Sequence, residues 1–211
     1  MKKRYWAFLI GSWCLSVGMQ AAKVDTLSVH SDAMNKEVQV ITICPDKAMA
    51  GEKCPVLYLL HGYGGNAGTW LGIKPELPQI ADKEGIIFVC PDGKNSWYWD
   101  SPLNKEYRYE TFVSKELVNY IDKNFTTKVE RGGRAITGLS MGGHGSLWLS
   151  IRHKDVFGGG GSMSGGLDIR PFPNNWEMKK QLGEEASNKQ RWDEHTVINQ
   201  LDKLSLIHIS E

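Results

Sequence analysis

The chain carries almost no net charge, few cysteines, and no apolar run long enough to cross a bilayer comfortably. Each shortage removes a class of function. Its 25 Lys and Arg nearly balance 24 Asp and Glu, for a formal charge of +1. So small a charge gives no field to attract a polyanion, which argues against nucleic acid or a membrane surface as partner. The four cysteines form no CxxC and share no ligand spacing with histidine, so neither a metal nor any other cofactor is expected. There is no internal repeat and no low-complexity tail. What remains is 211 residues, 41% hydrophobic and 23% charged, the composition of one globular domain with a real core.

The first 22 residues read as a secretory signal. Lys2-Lys3-Arg4 form a charged start, Tyr5 to Val17 is mostly apolar but short, and Ala21 and Ala22 offer a cleavage site. The alternative is an amphipathic N-terminal helix of the mature fold. Cleavage would bring the net charge to about −2 and leave no stable membrane anchor. The expected location is the periplasm of a bacterium, or beyond it. Export permits disulfides. Cys44 closes one strand and Cys54 opens the next, so a bridge between them is open, whereas Cys90 ends the apolar run Ile86-Ile87-Phe88-Val89 and reads as a buried thiol.

The most informative stretch is Gly138-Leu139-Ser140-Met141-Gly142. It reads G-x-S-x-G. Arg134-Ala135-Ile136-Thr137 before it suits the end of a buried strand, and Gly143-His144-Gly145-Ser146-Leu147-Trp148-Leu149 after it can open a helix. A serine on such a turn has its hydroxyl thrust out at the top of a sheet, and the flanking glycines leave the turn uncrowded. The following helix aims N–H groups at developing negative charge. A second motif comes earlier. Val56-Leu57-Tyr58-Leu59-Leu60 is a continuous apolar run, as a strand buried on both faces requires, and it ends in His61-Gly62-Tyr63-Gly64-Gly65. Together the motifs make Ser140 a candidate nucleophile and the backbone N–H groups of Tyr63 and Met141 candidate oxyanion donors.

With these segments the chain resembles the α/β-hydrolase superfamily. Within it the likeness is to the esterase group of S-formylglutathione hydrolases, feruloyl and acetyl xylan esterases, tributyrin-type esterases and mycolyltransferases. Cys90-Pro91-Asp92-Gly93 with Ser96-Trp97-Tyr98, and GLSMGGHG over 138–145, carry the likeness further. It implies an α/β-hydrolase fold, with a mostly parallel central sheet and helices on both faces. It also implies a triad in the chain order Ser, acid, His. In that group the acid follows the next core strand after the serine, and the His comes later still. Here Leu204 to Ile209 resembles that strand, and the chain stops at Glu211. The expectation is therefore a domain over 23–204 that is incomplete at its C-terminus and lacks the triad acid and base, with 205–211 as a tail of doubtful origin.

Other segments fill in the scaffold. Val38 to Ile43 reads as an early strand, Pro75 to Lys83 as a short helix stopped by Gly85, and Ser162-Met163-Ser164 as a strand. Glu110 to Phe125 is the clearest helix, with Val113, Leu117, Ile121 and Phe125 at i+4. Trp97, Tyr98, Trp99 and Trp176 are candidates for a substrate wall, since Trp97 to Trp99 follow a strand's carboxyl end and aromatic faces suit a sugar or a feruloyl ring. None of the six histidines suits the triad base. His61 and His144 read as structural, His153 as a helix end, and His30 comes too early. Only His195 and His208, with Asp168 and Glu211 as acids, would remain if the triad lay within the chain.

The reading is a secreted serine ester hydrolase acting through an acyl-enzyme on Ser140. Its expected substrates are short acyl, acetyl or feruloyl esters of carbohydrates, whether small molecules or polysaccharides. The alternatives are an acyltransferase of mycolyltransferase type, an S-formylglutathione hydrolase, and a non-catalytic carbohydrate-binding protein on the same fold.

Overall fold

The computed structural model describes residues 22–203. Residues 1–21, over which a signal peptide is expected, and the segment from Leu204 onward, including His208 and Glu211, lie outside the described residues.

Six strands form one sheet in the order β1-β2-β4-β3-β5-β6. β3 (Val56–Leu60) and β4 (Ile87–Pro91) sit in its middle, and every residue of β4 is buried. Their apolar runs follow from this position, because helices cover both faces. β3 pairs in parallel with β4 and with β5 (Arg134–Gly138), in a register that sets Leu60 beside Gly138. That pairing brings the two glycine motifs, far apart in sequence, to the same end of neighbouring strands. β1 (Lys23–Ser31) and β2 (Lys36–Cys44) form an antiparallel hairpin at one edge. β2 extends the expected strand by two residues at its start and by Cys44 at its end.

At the other edge the expected strand at Ser162–Ser164 moves earlier. β6 is Gly159–Gly160, parallel to β5. Pairing continues beyond it as a single bridge between Leu139 and Met163. The missing glycine side chains let this strand lie against the helix that follows β5: a Cβ on Gly160 would stand 2.2 Å from Ser150 Oγ.

Side chains alternating across the sheet divide the core in two. Tyr58 and Leu60 point toward Phe112, Leu117, Trp148 and Leu149 on one face. Leu59 and Phe88 point toward Trp70, Leu77 and Ala81 on the other. The helix Leu77–Glu84 ends at Gly85, whose φ of 64° is the left-handed cap that glycine accepts without strain. Residues 109–124 form one helical run, α-helical at Tyr109–Thr111 and Val118–Asn124 with a π-helical segment, Phe112–Leu117, between. Cys44, Cys54 and Cys90 are buried free thiols. The bridge left open for Cys44 and Cys54 is not formed. Each thiol instead points to a carbonyl near it in sequence, Cys44 to Pro45 O at 3.9 Å and Cys54 to Glu52 O at 3.5 Å. Burial pushes the Cys90 thiol up to about 12.

Candidate active site

Ser140 joins β5 to the helix Met141–Arg152 at φ 55° and ψ −115°. A side-chain-bearing residue reaches that region only when its surroundings hold it there. Two constraints are visible. The Ser140 N–H donates to Met163 O at 2.8 Å, and its carbonyl accepts from the His144 N–H at 2.9 Å. The backbone around it is also crowded. A Cβ on Gly142 would stand 2.2 Å from the Leu60 carbonyl oxygen, and one on Gly138 would stand 2.3 Å from the Gly142 oxygen. Only glycine lets strand, turn and helix come this close. The result is an exposed Ser140 directly above a rigid, buried base.

The loop after β3 faces it. A Cβ on Gly62 would lie 3.4 Å from Ser140 Cβ. The Gly65 N–H closes the loop onto Gly62 O at 3.0 Å. Among the described residues, the backbone N–H groups of Tyr63 and Met141 donate to no protein acceptor. Two free donors therefore flank the exposed serine, at the start of a 12-residue helix.

His61 is a strut beneath this loop. Its Nδ1–H donates to Gly62 O at 2.7 Å, and its Nε2 accepts from the Gly93 N–H at 2.8 Å, so the partners fix a neutral tautomer. Beside it, burial pushes the Asp92 carboxyl up. The Lys94 ammonium at 2.7 Å and the Lys94 backbone N–H at 2.9 Å outweigh burial and hold it well below the usual carboxylate range.

The aromatic candidates separate. Tyr98 is a correction: it is fully buried and cannot meet a substrate. Its ring fills the space over Gly93 and Gly145, and its hydroxyl donates to His61 O at 3.2 Å. Trp97 is nearly buried too. It stacks on Trp99 at 5.6 Å and donates its Nε1–H to Trp176 O at 3.4 Å. Trp176 is 43% exposed, with Phe172 packed on it at 5.5 Å. Of these aromatic candidates Trp176 is thus the exposed one, with Phe172 against it and Trp97 behind it. Phe172 was not singled out from the sequence, where an aromatic between two prolines carries no positional signal.

No described histidine hydrogen-bonds the Ser140 hydroxyl. His144 is buried, donates Nδ1–H to Gly166 O at 2.8 Å, and lies edge-on to Trp97 and Trp99. Burial pulls it down to about 4, so it is neutral at physiological pH. His153 ends the helix and bonds Glu110, and His195 donates to Arg191 O and stacks on Trp148. His30 pairs with Glu37 on the edge hairpin. Asp168 is held by Arg170 through three hydrogen bonds, two from the guanidinium and one from the backbone N–H. A groove of about 1140 Å³, lined by Glu110, Trp148, Arg152 and His195, lies on the far side of the helix and contains no residue of the Ser140 turn or of the glycine loop. Among the described residues no cluster of three or more His, Cys, Asp or Glu is placed to hold a metal.

Sheet order, glycine loop and strained serine turn together define an α/β-hydrolase fold. A solved ferulic acid esterase superposes on 89% of this chain and 74% of its own, with a TM-score of 0.70 and 27% identity. The family model Esterase, described as Putative esterase, matches residues 31–206, and the chain belongs to that family. An acetyl esterase of Caldicellulosiruptor saccharolyticus is 29% identical over 151 residues, which are 68% of this chain and 56% of that protein. An endo-1,4-beta-xylanase/feruloyl esterase of Xylanibacter ruminicola is 34% identical over 124 residues, 54% of this chain and 17% of that protein. The chain therefore spans little more than half the length of the first of these relatives and far less of the second.

Proposed function

We propose that Ser140 is the nucleophile of an exported carboxylic ester hydrolase, acting on acetyl, feruloyl or other short acyl esters of carbohydrates. One observation carries the reading: an exposed serine held at φ 55° between two backbone N–H groups with no other partner. Ser140 Oγ attacks the ester carbonyl. The carbonyl oxygen takes up negative charge between the N–H groups of Tyr63 and Met141. The alcohol leaves with a proton, and an acyl-Ser140 remains. Water then attacks the acyl group, releasing the acid and restoring the hydroxyl. Trp176, with Phe172, receives the ring of the sugar or of a feruloyl group.

Deprotonating Ser140 needs a base. Every described histidine is engaged elsewhere, and we place the base and its carboxylate outside residues 22–203. The acetyl and feruloyl esterases among the relatives support the substrate class, and the order of charged, apolar and small residues before Lys23 supports export.

The test is ester turnover by the full-length protein with aryl acetate and methyl ferulate. Ser140→Ala is expected to lower turnover by roughly four to six orders of magnitude, the scale of losing a triad nucleophile. A variant within about tenfold of wild type removes Ser140 from the chemistry. Adding an alcohol acceptor separates hydrolysis from acyl transfer: an ester product formed in place of free acid would mark a transferase.

A further inference from the structure

Between the glycine loop and Trp176 runs a short polar chain that the proposed chemistry does not use. Gly62 to Gly65 form a turn closed by the Gly65 N–H on Gly62 O. Gly64 has φ +75°, the value a type II turn requires at its third residue. Turns of type I and type II differ by a flip of the middle peptide, here the one joining Tyr63 to Gly64. That peptide's N–H donates to Asn95 Oδ1 at 2.9 Å. An amide side chain has a donor end and an acceptor end and fits either way round unless its other end is fixed. Asn95 Nδ2 is fixed by Glu177 Oε2, at 3.4 Å. A carboxylate accepts only, so it obliges the amide to turn its nitrogen outward and its oxygen toward Gly64. Glu177 is itself over-determined. It pairs with Lys180, and both it and Trp176 stand in the left-handed region, at φ 56° and 50°. Two consecutive non-glycine residues in that region store strain that an ordinary surface loop would relax.

We infer that Asn95 and Glu177 are positioning residues that set the peptide geometry of the oxyanion loop, Glu177 acting through the orientation of the Asn95 amide. The same two-residue kink presents the Trp176 ring and the Glu177 carboxylate, so the ring-binding surface and the oxyanion loop share one anchor. The inference rests on the ester-hydrolase reading of Ser140.

The experiment measures kcat and KM of the full-length protein on aryl acetate and methyl ferulate, with Ser140→Ala as the reference for no chemistry. Asn95→Ala and Glu177→Ala are each expected to lower kcat about tenfold to a hundredfold on both substrates, because a loop misplaced by an ångström costs that much, while KM stays within about threefold. Glu177→Gln offers a donor as well as an acceptor, so it no longer obliges the Asn95 amide to one orientation and should fall between wild type and Glu177→Ala. Asn95→Asp in the Glu177→Ala background should recover kcat, since a carboxylate offers Gly64 an acceptor whichever way it turns. Glu184→Gln, at an exposed carboxylate whose ion-pair partner among the described residues is Lys179, should change nothing. Should Asn95→Ala fail to fold, the Glu177 variants and the rescue carry the decision alone. Wild-type kcat in Glu177→Ala, or no recovery in the double variant, overturns the inference while leaving Ser140 in place. Equal turnover by wild type and Ser140→Ala overturns both.

Discussion

A methyl group added at Gly142 meets backbone, the Leu60 carbonyl oxygen, whereas one added at Gly145 meets a side chain, the Tyr98 ring at 2.3 Å. Tyr98 is boxed in by Gly93 on its other side and has little room to yield. Gly145→Ala should therefore cost about 1–3 kcal/mol, the usual range for overpacking a core. Gly142→Ala should cost more and should also depress Ser140 reactivity, because the turn itself must open. Gly72, in the helix Thr69–Ile73, has nothing within 4 Å of its added methyl. Gly72→Ala should gain about 0.5–1 kcal/mol from helix propensity and a less flexible unfolded chain. Urea unfolding of the three variants checks the order. The glycines around Ser140 were legible in the sequence because close approach of backbone leaves glycine as the sole choice. Tyr98 was not, since a Trp-Tyr-Trp run after a strand looks the same whether a ring faces solvent or the underside of a helix. Asn95 and Glu177 were missed for a related reason. A left-handed non-glycine residue is imposed by its neighbours and leaves no mark in composition.

Glu110 fastens the helical run 109–124 to the helix that follows Ser140. Its carboxylate accepts from Trp148 Nε1 at 2.8 Å, Arg152 Nε at 2.7 Å and His153 Nε2 at 2.9 Å. Burial pushes this carboxyl up, but His153, Arg152 and Trp148 together pull it below its ordinary value. The stabilisation is therefore complete above the unfolded carboxylate pKa of about 4.3 and is lost as pH falls below it. Glu110→Ala leaves Arg152 and the indole without their partner and should cost about 3–5 kcal/mol at pH 7, the range for breaking a buried pair. Its unfolding free energy should also lose the part of its acid dependence that Glu110 supplies; denaturation at pH 7 and pH 4 reads both effects. The sequence showed this run clearly through Val113, Leu117, Ile121 and Phe125. It could not show the π-helical segment, because one wide turn barely disturbs an i+4 pattern. β3 and β4 announced themselves as unbroken apolar runs. β1 did not, because an edge strand keeps alternate residues in water, and β6 did not, because glycines have no strand preference of their own and this strand is held by its register with β5.

Across the whole molecule the acid response starts well above the carboxylate range. His144 is buried among indoles and pulled down to about 4, so the unfolded chain takes up a proton there before the folded one does. A depressed histidine contributes its full stability above the unfolded pKa of about 6.5 and loses it as pH falls toward the folded value. By pH 5 the loss from His144 should reach about 2 kcal/mol. His195, also lowered by burial, acts in the same direction. His144→Gln keeps a donor for Gly166 O but cannot titrate. It should be less stable than wild type at pH 7, yet lose less between pH 6.5 and 5. Chemical denaturation across that interval decides it, and parallel slopes would remove His144 as the source. Nothing in composition foretold this response, because His144 follows Ser140 by one helical turn and only the packed indoles reveal its surroundings.

The Trp97 and Trp99 rings lie 5.6 Å apart and within 18° of parallel, with Trp176 6.0 Å from Trp97. Transition dipoles that close exchange excitation, so the two indoles absorb as a coupled pair. Their circular dichroism is expected to carry a signed couplet whose shape depends on the angle between the rings. Trp97 bonds the backbone of Trp176, so a ring that settles on Trp176 is expected to shift that pair. The protein should thus carry its own optical gauge: occupancy of the Trp176 surface is expected to be read in the ultraviolet without a label, even with a compound that is never turned over.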